Sequence, residues 1–356
     1  MHAAETAGRV HPEPPHPFRS PYQRDRDRIV HSAAFRRLAH KTQVFTGYQG
    51  DYHRSRLTHT LEVTSIARTL ARALALNEDL VETLALGHDI GHPPLGHAGE
   101  DTLNELLEND GGFSHNAQAL RIMELLERRY PQFPGLNLSR EVLDAQATRK
   151  RDGSAPPPLL ETQVVDAADS IAYDTHDADD AVELGLVTLD ELLSLPLVAE
   201  AAGRAEERYG PLQGGERRRA VLHELVDWQV AGLIANTRSG LERLGIDSVA
   251  AVREACRGDA QGPRRIVVHE AHVAAGKAEL ESFLFKRVYR SERVMKVRVA
   301  VQRKMRELFD WYCGHPDELP QSFRSRAVDH GVRRSVADYI AGMTDRFLEQ
   351  DYARRL

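Results

Sequence analysis

The sequence contains little cysteine, no long apolar run and few aromatic residues. Two cysteines, Cys256 and Cys313, among 356 residues exclude a disulfide framework and a multi-cysteine zinc site. No apolar run approaches the roughly 20 residues that span a bilayer. Residues 1–17 lack the apolar segment of a signal peptide. From these absences we expect a cytoplasmic protein in a reducing compartment.

Glycine-rich phosphate-binding motifs are also absent, since the sequence has neither GxxxxGK[ST] nor GxGxxG. The 47 basic and 53 acidic residues give a net charge of −6, so no global basic field attracts nucleic acid. Only six basic residues are lysines. The excess of arginine fits either a GC-rich genome or the recognition of phosphate oxygens, and both alternatives stay open. Histidine, at 17 residues, is unusually frequent.

The pattern of apolar residues is helical. Val63, Ile66, Leu70 and Leu74 form one stripe at helical spacing. Aromatic residues make up 6% of the chain, which suits a helical protein better than a β-sandwich. We find no strand alternation and no internal repeat, so we expect an all-α fold.

Caps and breakers divide the chain into helices and loops, and Asn77 is the expected cap of one helix. The expected helices are 22–45, 78–89, 97–111, 114–130, 160–184, 272–289, 291–313 and 332–352, with loops at 46–56 and 149–158 and a less regular stretch at 200–265. At the domain level we expect a mobile arm (1–21), a core (22–190) and a C-terminal helical region (191–356) packed on that core.

Four polar residues occupy positions where the helical pattern requires apolar ones. His59 lies on the same stripe as Val63, one turn before it. Asp169 lies on the inward face of its helix, and His88 and Asp89 end the helix 78–89. An ionised aspartate on a core face costs several kcal/mol unless it is paired or bound to a metal. Two imidazoles and two carboxylates supply nitrogen and oxygen ligands for a Mn, Fe, Co, Ni or Mg ion.

Taken singly, each of these residues has another interpretation. His59 is compatible with a core histidine that has a backbone partner, and Asp169 with a buried ion pair to an arginine. An adjacent His88 and Asp89 form a common dipeptide. The order H…HD…D on successive helices is what favours a metal site.

Five segments carry a resemblance to a known family. They are YQRDRDRIVHSAAFRRLAHKTQVF (22–45), RSRLTHTLEV (54–63), GHDIGHPPLGHAGE (87–100), VVDAADSIAYDTHD (164–177) and VADYIAGMTDRF (336–347). The sequence resembles the HD-domain metal-dependent phosphohydrolases and, more narrowly, the bacterial dGTP triphosphohydrolases, relatives of the metazoan sterile-alpha-motif/HD dNTP hydrolase. The resemblance implies an HD-domain helical bundle with additional C-terminal helices.

The resemblance also implies catalytic residues. The proton-transfer histidine of the family falls on His97, and Glu100 follows one helical turn later, where its carboxylate can orient the imidazole. His115 matches a further active-site histidine of the metazoan relative, or is a plain helix-start residue. His92 stands between a glycine and a proline, so a role in the turn is as compatible as a role in catalysis.

For the substrate, the family pattern places Gln43 near the sugar and Arg56 on the phosphates. It places Tyr173 at the deoxyribose 2′ position and Asp177 on the 3′-hydroxyl. Ser170 stands where the metazoan relative has a phosphate-contacting lysine, so another base must replace that contact.

Two charged stretches have open interpretations. The alternating run at 25–28 is either a solvated helix face or a contact with a subunit or nucleotide. Lys286, Arg287, Arg290 and Arg293 form a basic cluster that is either a solvated face or a contact with a triphosphate or nucleic acid.

The activity implied is metal-dependent hydrolysis of deoxynucleoside 5′-triphosphates to deoxynucleoside and inorganic triphosphate. The metal is Mn, Mg, Fe, Co or Ni, and Mg²⁺ is expected to accompany the triphosphate. The alternatives are another HD phosphohydrolase, such as a 5′-nucleotidase or phosphodiesterase, and a non-catalytic regulator that binds nucleotides or single-stranded DNA. The family also implies a homo-oligomer such as a hexamer, with a dNTP or single-stranded DNA as effector.

Overall fold

The computed structural model describes residues 1–43, 54–150, 155–258 and 264–356. Within these ranges the chain is helical, extended pairings are isolated bridges and no sheet forms, so the all-α expectation is confirmed. None of the described helices is long and apolar enough to cross a membrane. The predicted loops at 46–56 and 149–158 lie partly outside the described residues.

The α-helices are α1 (Pro21–Val30), α2 (Ala33–Arg37), α3 (Arg56–Ala73), α4 (Glu78–Gly87), α5 (Gly96–Leu106), α6 (His115–Arg121), α7 (Arg140–Thr148), α8 (Leu160–Glu183), α9 (Leu189–Leu193), α10 (Pro196–Tyr209), α11 (Gly214–Leu244), α12 (Val249–Ala255), α13 (Ala271–Leu284), α14 (Glu292–Gly314), α15 (Gln321–His330), α16 (Val332–Ala341) and α17 (Asp345–Arg355).

Capping side chains determine where several helices begin. The hydroxyls of Ser20, Ser32 and Thr344 each accept the backbone N–H three residues later, at the starts of α1, α2 and α17. The caps at Ser32 and Thr344 therefore divide two helices that the sequence analysis took as continuous, 22–45 and 332–352. Asn77 caps α4 as expected, since its Oδ1 lies 3.0 Å from the backbone nitrogen of Leu80.

Two other segments differ from the prediction. The stretch at 200–265, expected to be less regular, contains the 31-residue helix α11. Its glycine pair, Gly214 and Gly215, lies at the start of α11 and therefore does not interrupt it. Conversely, the helix expected to reach residue 130 leaves α-geometry after Arg121 and continues as a π-helical turn over Ile122–Leu126.

The described chain forms two compact units. The first comprises Met1–Leu61, Glu82–Pro156 and Lys296–Leu356, and the second comprises Glu62–Val81 and Pro157–Met295. The predicted division at residues 21 and 190 stays a prediction.

The core of the first unit is built from α5, α14, α16 and α17. Met305, Leu308, Phe309 and Tyr312 form one stripe along α14, and all four are fully buried. They belong to the same apolar cluster as Leu103 and its neighbours on α5. This packing fixes α5, which carries residues of the candidate site.

The second unit is organised around α8, which packs against α11 and α13, while α10 packs against α11 and α13. Gly276 marks a close approach, because a Cβ atom there would lie 3.0 Å from Leu197 Cβ on α10. A glycine inside a helix costs roughly 0.5–1 kcal/mol relative to alanine. The close packing of α13 on α10 gives the physical reason for glycine at this position.

Charged residues of α1 are buried in the first unit. Asp25 pairs with Arg9, and its Oδ2 accepts the backbone N–H of Ser139 at 2.9 Å. Arg28 donates to Glu13 at 2.6 Å. Both Asp25 and Arg28 are at least 95% buried, so the alternative of a solvated face is wrong for these two residues.

We predict that truncation of one core side chain in α14 destabilises the protein. The substitution Leu308→Ala should lower the free energy of unfolding by about 3 kcal/mol, because Leu308 is fully buried. The melting temperature, followed by circular dichroism, should fall by several degrees. The control Val328→Ala removes an apolar side chain that is 87% exposed, and an equal fall in both variants would contradict the assignment of this core.

Candidate active site

The ends of two helices bring the first three predicted metal ligands together. His59 lies in the first turn of α3, and His88 and Asp89 follow directly after α4. One ligand atom from each side chain lies within 4.8 Å of the other two. All three residues are at least 96% buried, and the two imidazole rings are 5.7 Å apart between centroids.

Asp89 is the centre of this group. Its Oδ2 accepts a hydrogen bond from Arg56 Nη1 at 2.8 Å, and its Oδ1 lies 3.5 Å from His88 Nε2 and 3.4 Å from His92 Nε2. Burial by itself raises the pKa of the Asp89 carboxyl, but His88 and Arg56 hold that pKa well below its usual range. The carboxylate is therefore ionised although it is buried.

The geometry of His88 fits a role as a metal ligand. Its Nδ1 lies 2.6 Å from the carbonyl oxygen of Ala85. A carbonyl oxygen only accepts, so Nδ1 carries a proton, and in the neutral ring that binds a metal Nε2 would present its lone pair on the side of Asp89. This is the arrangement by which an outer hydrogen bond orients a metal-binding histidine. The donor set of two imidazoles and one ionised carboxylate fits a divalent ion.

Asp169, the fourth predicted ligand, lies on α8 in the second unit. Its role as a ligand stays a prediction.

Glu100 organises the predicted proton-transfer residues. Its Oε1 accepts from both the backbone nitrogen and the Nδ1 of His115, each at 2.8 Å. Its Oε2 lies 3.4 Å from His97 Nδ1. The sequence predicts that Glu100 orients His97, whereas the shorter hydrogen bonds of Glu100 are to His115. Although burial opposes it, the hydrogen bonds from His115 and His97 lower the pKa of Glu100.

His92 lies between these two groups. Its ring stacks on that of His115, with centroids 3.9 Å apart and planes 14° apart. Burial, followed by the charges of Arg56 and His115, holds the pKa of His92 well below the ordinary histidine value. The ring is therefore neutral at pH 7. The sequence left its role open, and the structure places it against both Asp89 and His115.

A glycine permits this stacking. A Cβ atom on Gly91 would lie 2.0 Å from the carbonyl oxygen of His115 and 2.4 Å from the backbone nitrogen of Ala119. No side chain fits between the turn that follows α4 and the start of α6.

Arg56 and Gln43 lie beside the metal-ligand group. Arg56 is 1% exposed, and its Nη2 lies 3.3 Å from the carbonyl oxygen of Gln43. Among the described residues, Arg56 Nε has no hydrogen-bond partner. The predicted contacts of Arg56 with phosphate and of Gln43 with the sugar stay predictions.

The second unit holds the predicted deoxyribose residues. Asp177 is buried and accepts a hydrogen bond from the hydroxyl of Tyr289, whose ring centroid is 6.5 Å from that of Tyr173. Burial raises the pKa of both tyrosines. Tyr289 could not be found from the sequence, because it is 112 residues from Asp177 and no local pattern marks it.

A buried ion pair adjoins this group. Lys277 pairs with Asp174, and its Nζ lies 3.2 Å from Gln229 Oε1 and 3.4 Å from the carbonyl oxygen of Ser170. Burial raises the pKa of Asp174 to about 6. Lys277 thus lies close to Ser170 but is paired with Asp174, and the base that would replace the phosphate contact stays a prediction.

The basic cluster on the second unit is exposed. Lys286, Arg287, Arg290 and Arg293 are all exposed, and Arg287 pairs with Glu191. The guanidinium of Arg290 lies 5.0 Å from the centroid of Phe285. These contacts are typical of a solvated face, and the alternative role in binding stays a prediction.

Comparison with known domain families defines the class of protein. Residues 56–174 match the HD domain, and residues 267–354 match the phosphohydrolase-associated domain. The HD match begins at Arg56 and contains the H…HD…D series. The chain is therefore an HD-domain hydrolase with an additional C-terminal helical region, as expected. An HD domain implies a divalent metal, with which the group of His59, His88 and Asp89 is consistent.

Full-length relatives narrow the class. The chain is 40% identical to a deoxyguanosinetriphosphate triphosphohydrolase-like protein of Geobacter sulfurreducens, over 99% of this chain and 92% of the relative. It is 42% identical to proteins of the same description from Jannaschia sp. and Mesorhizobium japonicum, over 98% and 99% of this chain and 92% of each relative. The chain belongs to the family of deoxyguanosinetriphosphate triphosphohydrolase-like proteins.

We predict that Glu100 stabilises the fold in a pH-dependent way. Its pKa is depressed in the folded state, so its contribution is complete above the unfolded value of about 4.3 and is lost as the pH falls below it. Glu100→Gln should therefore lower stability at pH 7 by about 1–3 kcal/mol and flatten the decline below about pH 5.

Urea unfolding of metal-free protein between pH 3.5 and 7 measures this effect. The control is Glu105→Gln on the same helix, since the Glu105 side chain is 60% exposed and pairs with Arg306. The interpretation is wrong if the two variants show the same dependence of stability on pH.

Proposed function

We propose that this protein hydrolyses deoxynucleoside 5′-triphosphates, dGTP among them, to deoxynucleoside and inorganic triphosphate. The observation that carries the proposal is the buried group of His59, His88 and Asp89 with Arg56 beside it, in a chain of this family. The group would bind a divalent cation that neutralises charge on the phosphates. The neighbouring His97 and His115 would transfer protons.

His59, His88 and Asp89, with Asp169, would hold the metal ion. When bound, such an ion polarises a phosphate oxygen and lowers the pKa of a coordinated water. The nitrogen and oxygen donors accept Mn, Mg, Fe, Co or Ni. Arg56 fixes one carboxylate oxygen of Asp89 by its 2.8 Å hydrogen bond, and its Nε remains for a phosphate oxygen.

Proton transfer falls to the histidines that Glu100 holds. In the reaction, the oxygen of water bonds to the α-phosphorus and the bond from phosphorus to O5′ breaks. Water loses a proton and O5′ gains one. Glu100 accepts the Nδ1–H of His115 and lies near Nδ1 of His97, so Nε2 of each ring is the nitrogen that exchanges a proton.

The sugar contacts would come from Gln43, Tyr173 and Asp177. The hydroxyl of Tyr289 orients the Asp177 carboxylate, which suits it to accept a hydrogen bond from a 3′-hydroxyl. The ring of Tyr173 would occupy the space next to the 2′ position and so disfavour ribonucleotides.

We predict that the products are deoxynucleoside and inorganic triphosphate. Purified protein is incubated with each dNTP and with GTP, in Mn²⁺ or Mg²⁺, and the products are separated by anion-exchange chromatography. Asp89→Asn should lower turnover by about 100-fold or more, the scale of losing one group that stabilises the transition state. Asp310→Asn, at an exposed position, is the control and should retain activity.

Other products would assign another function. Monophosphate, pyrophosphate or free phosphate would indicate another HD phosphohydrolase. Absence of turnover with single nucleotides, with dNTP mixtures and with single-stranded DNA added would favour a binding protein. Light scattering in the same buffers tests the homo-oligomer that we propose from family membership.

We predict that Asp169 is the fourth ligand. Asp169→Asn should weaken Mn²⁺ binding by at least about tenfold, because metal-binding sites lose 10- to 100-fold even when an outer partner is removed. Equilibrium dialysis with metal analysis measures the bound Mn²⁺ per chain. Asp166→Asn on the same helix, where Asp166 pairs with Arg265, is the control, and equal affinities in the two variants would contradict the assignment.

A further inference from the structure

The segment His92–Leu95 joins the metal-ligand turn to α5, which carries His97 and Glu100. It contains Pro93 and Pro94, and Leu95 has a φ of 67°, in the left-handed region. A residue other than glycine costs roughly 1–2 kcal/mol in that region. Such a conformation persists only where neighbouring contacts hold it.

Asp345, the first residue of α17, holds the end of this segment. Its Oδ1 accepts the backbone N–H of Leu95 at 2.8 Å, and its Oδ2 accepts that of Thr42 at 2.8 Å. One carboxylate therefore joins the strained residue to the segment that carries Gln43. Hydrogen bonds to an ionised acceptor are stronger than those between neutral groups.

Lys41 holds the other end of the segment. Its Nζ donates to the carbonyl oxygen of His92 at 2.5 Å and to that of Ala341, at the end of α16, at 2.8 Å. The side chain is 97% buried. Burial lowers the pKa of Lys41 to about 7, and a neutral amine still has two N–H groups for the two carbonyl oxygens.

We propose that Lys41 and Asp345 are positioning residues of the active site, which fix the backbone of His92–Leu95 and thereby the imidazoles of His92 and His97. The proposal rests on the proposed function for the meaning of that site. The proposal also links the two matched domains, because Ala341 and Asp345 lie in the phosphohydrolase-associated region. That region thus holds the backbone of this segment through the Asp345 carboxylate and, by way of Lys41, through the Ala341 carbonyl oxygen.

The placement of His92 makes turnover sensitive to these contacts. Its Nε2 is 3.4 Å from Asp89 and its ring is stacked 3.9 Å from His115. A displacement of about 1 Å in a catalytic arrangement costs about 100-fold in rate. The four predicted metal ligands lie outside the segment, and Asp89 and His88 keep their contacts with Arg56 and with the Ala85 carbonyl oxygen, so metal binding should depend on the segment much less than turnover does.

The test uses a graded series at Asp345 together with Lys41→Met. Asp345→Asn keeps one acceptor but presents an NH₂ group to the second backbone N–H, and Asp345→Ala removes both acceptors. The control is Glu349→Gln on the same helix, where Glu349 pairs with Lys304 at the surface. Three quantities are measured well below the melting temperature of each variant: kcat and KM for dGTP, Mn²⁺ bound per chain, and hydrogen–deuterium exchange of the peptide 92–98.

We expect exchange of this peptide to accelerate about tenfold or more in Asp345→Ala and less in Asp345→Asn. In the same order, kcat should fall about 100-fold and about 10-fold, while KM and bound Mn²⁺ change by less than threefold. Lys41→Met should lower kcat in the same way, and Glu349→Gln should match the unaltered protein. The intermediate behaviour of Asp345→Asn separates positioning from loss of the fold.

Two results would overturn the proposal. One is faster exchange with unchanged kcat, which would leave Lys41 and Asp345 a purely structural role. The other is unchanged exchange in both Asp345 variants. If the unaltered protein does not hydrolyse any dNTP, the proposed function fails by itself, and the exchange measurement alone then decides whether these residues hold the segment.

Discussion

The ion pair between Arg56 and Asp89 is buried on both sides, with side-chain exposures of 2% and 6%. Burying two charges costs several kcal/mol per ion, and only close contact and further hydrogen bonds offset that cost. This requirement connects the start of α3 to the turn after α4. It holds the Asp89 carboxylate ionised between His88 and His92, and so determines the charge that the site presents to a cation. Gly91 then allows the same turn to lie against α6, which places His115 over His92.

Guanidinium groups play a related part elsewhere in the first unit. Arg9 pairs with Asp25, Arg28 with Glu13, and Arg121 with Asp338, and each pair has at least one partner that is nearly inaccessible. The planar fork of arginine suits such pairs better than the compact ammonium of lysine does. In this unit, therefore, part of the arginine content supports the fold. The buried ammonium of Lys41 differs, because carbonyl oxygens and not a carboxylate accept its hydrogen bonds.

Features encoded locally could be predicted from the sequence, and features made by distant pairs could not. The polar residues His59 and Asp169 interrupt apolar stripes, and this anomaly in the sequence indicates a site. The caps at Ser32 and Thr344 are visible in the sequence, since a hydroxyl residue precedes each new helix. Apolar periodicity continues across both positions, however, and therefore predicts unbroken helices there. Glycines near 214 suggested irregular structure, although they lie at a helix start.

Contacts between residues that are distant in the sequence could not be predicted from local patterns. Glu100 lies one helical turn from His97, which the sequence shows. The fold nevertheless brings His115, 15 residues away, into closer contact with Glu100. Tyr289 is hydrogen-bonded to Asp177, and Asp345 to Leu95, although more than 100 residues separate the members of each pair. These contacts depend on how helices pack, which one sequence does not specify locally.

The discontinuous make-up of the first unit has a consequence for biosynthesis. Its core joins Leu103 and Leu107 to residues between Val301 and Leu348, so the apolar face of α5 leaves the ribosome nearly 200 residues before its partners do. The second unit begins with Glu62–Val81, which precedes α5, and it is completed at Met295, within that interval. Although domains generally fold in order from the N-terminus, here the unit that contains Met1 is the last to be completed. Until then the apolar face of α5 lacks its C-terminal partners, and exposed apolar surface of this kind makes a partly folded chain prone to aggregation.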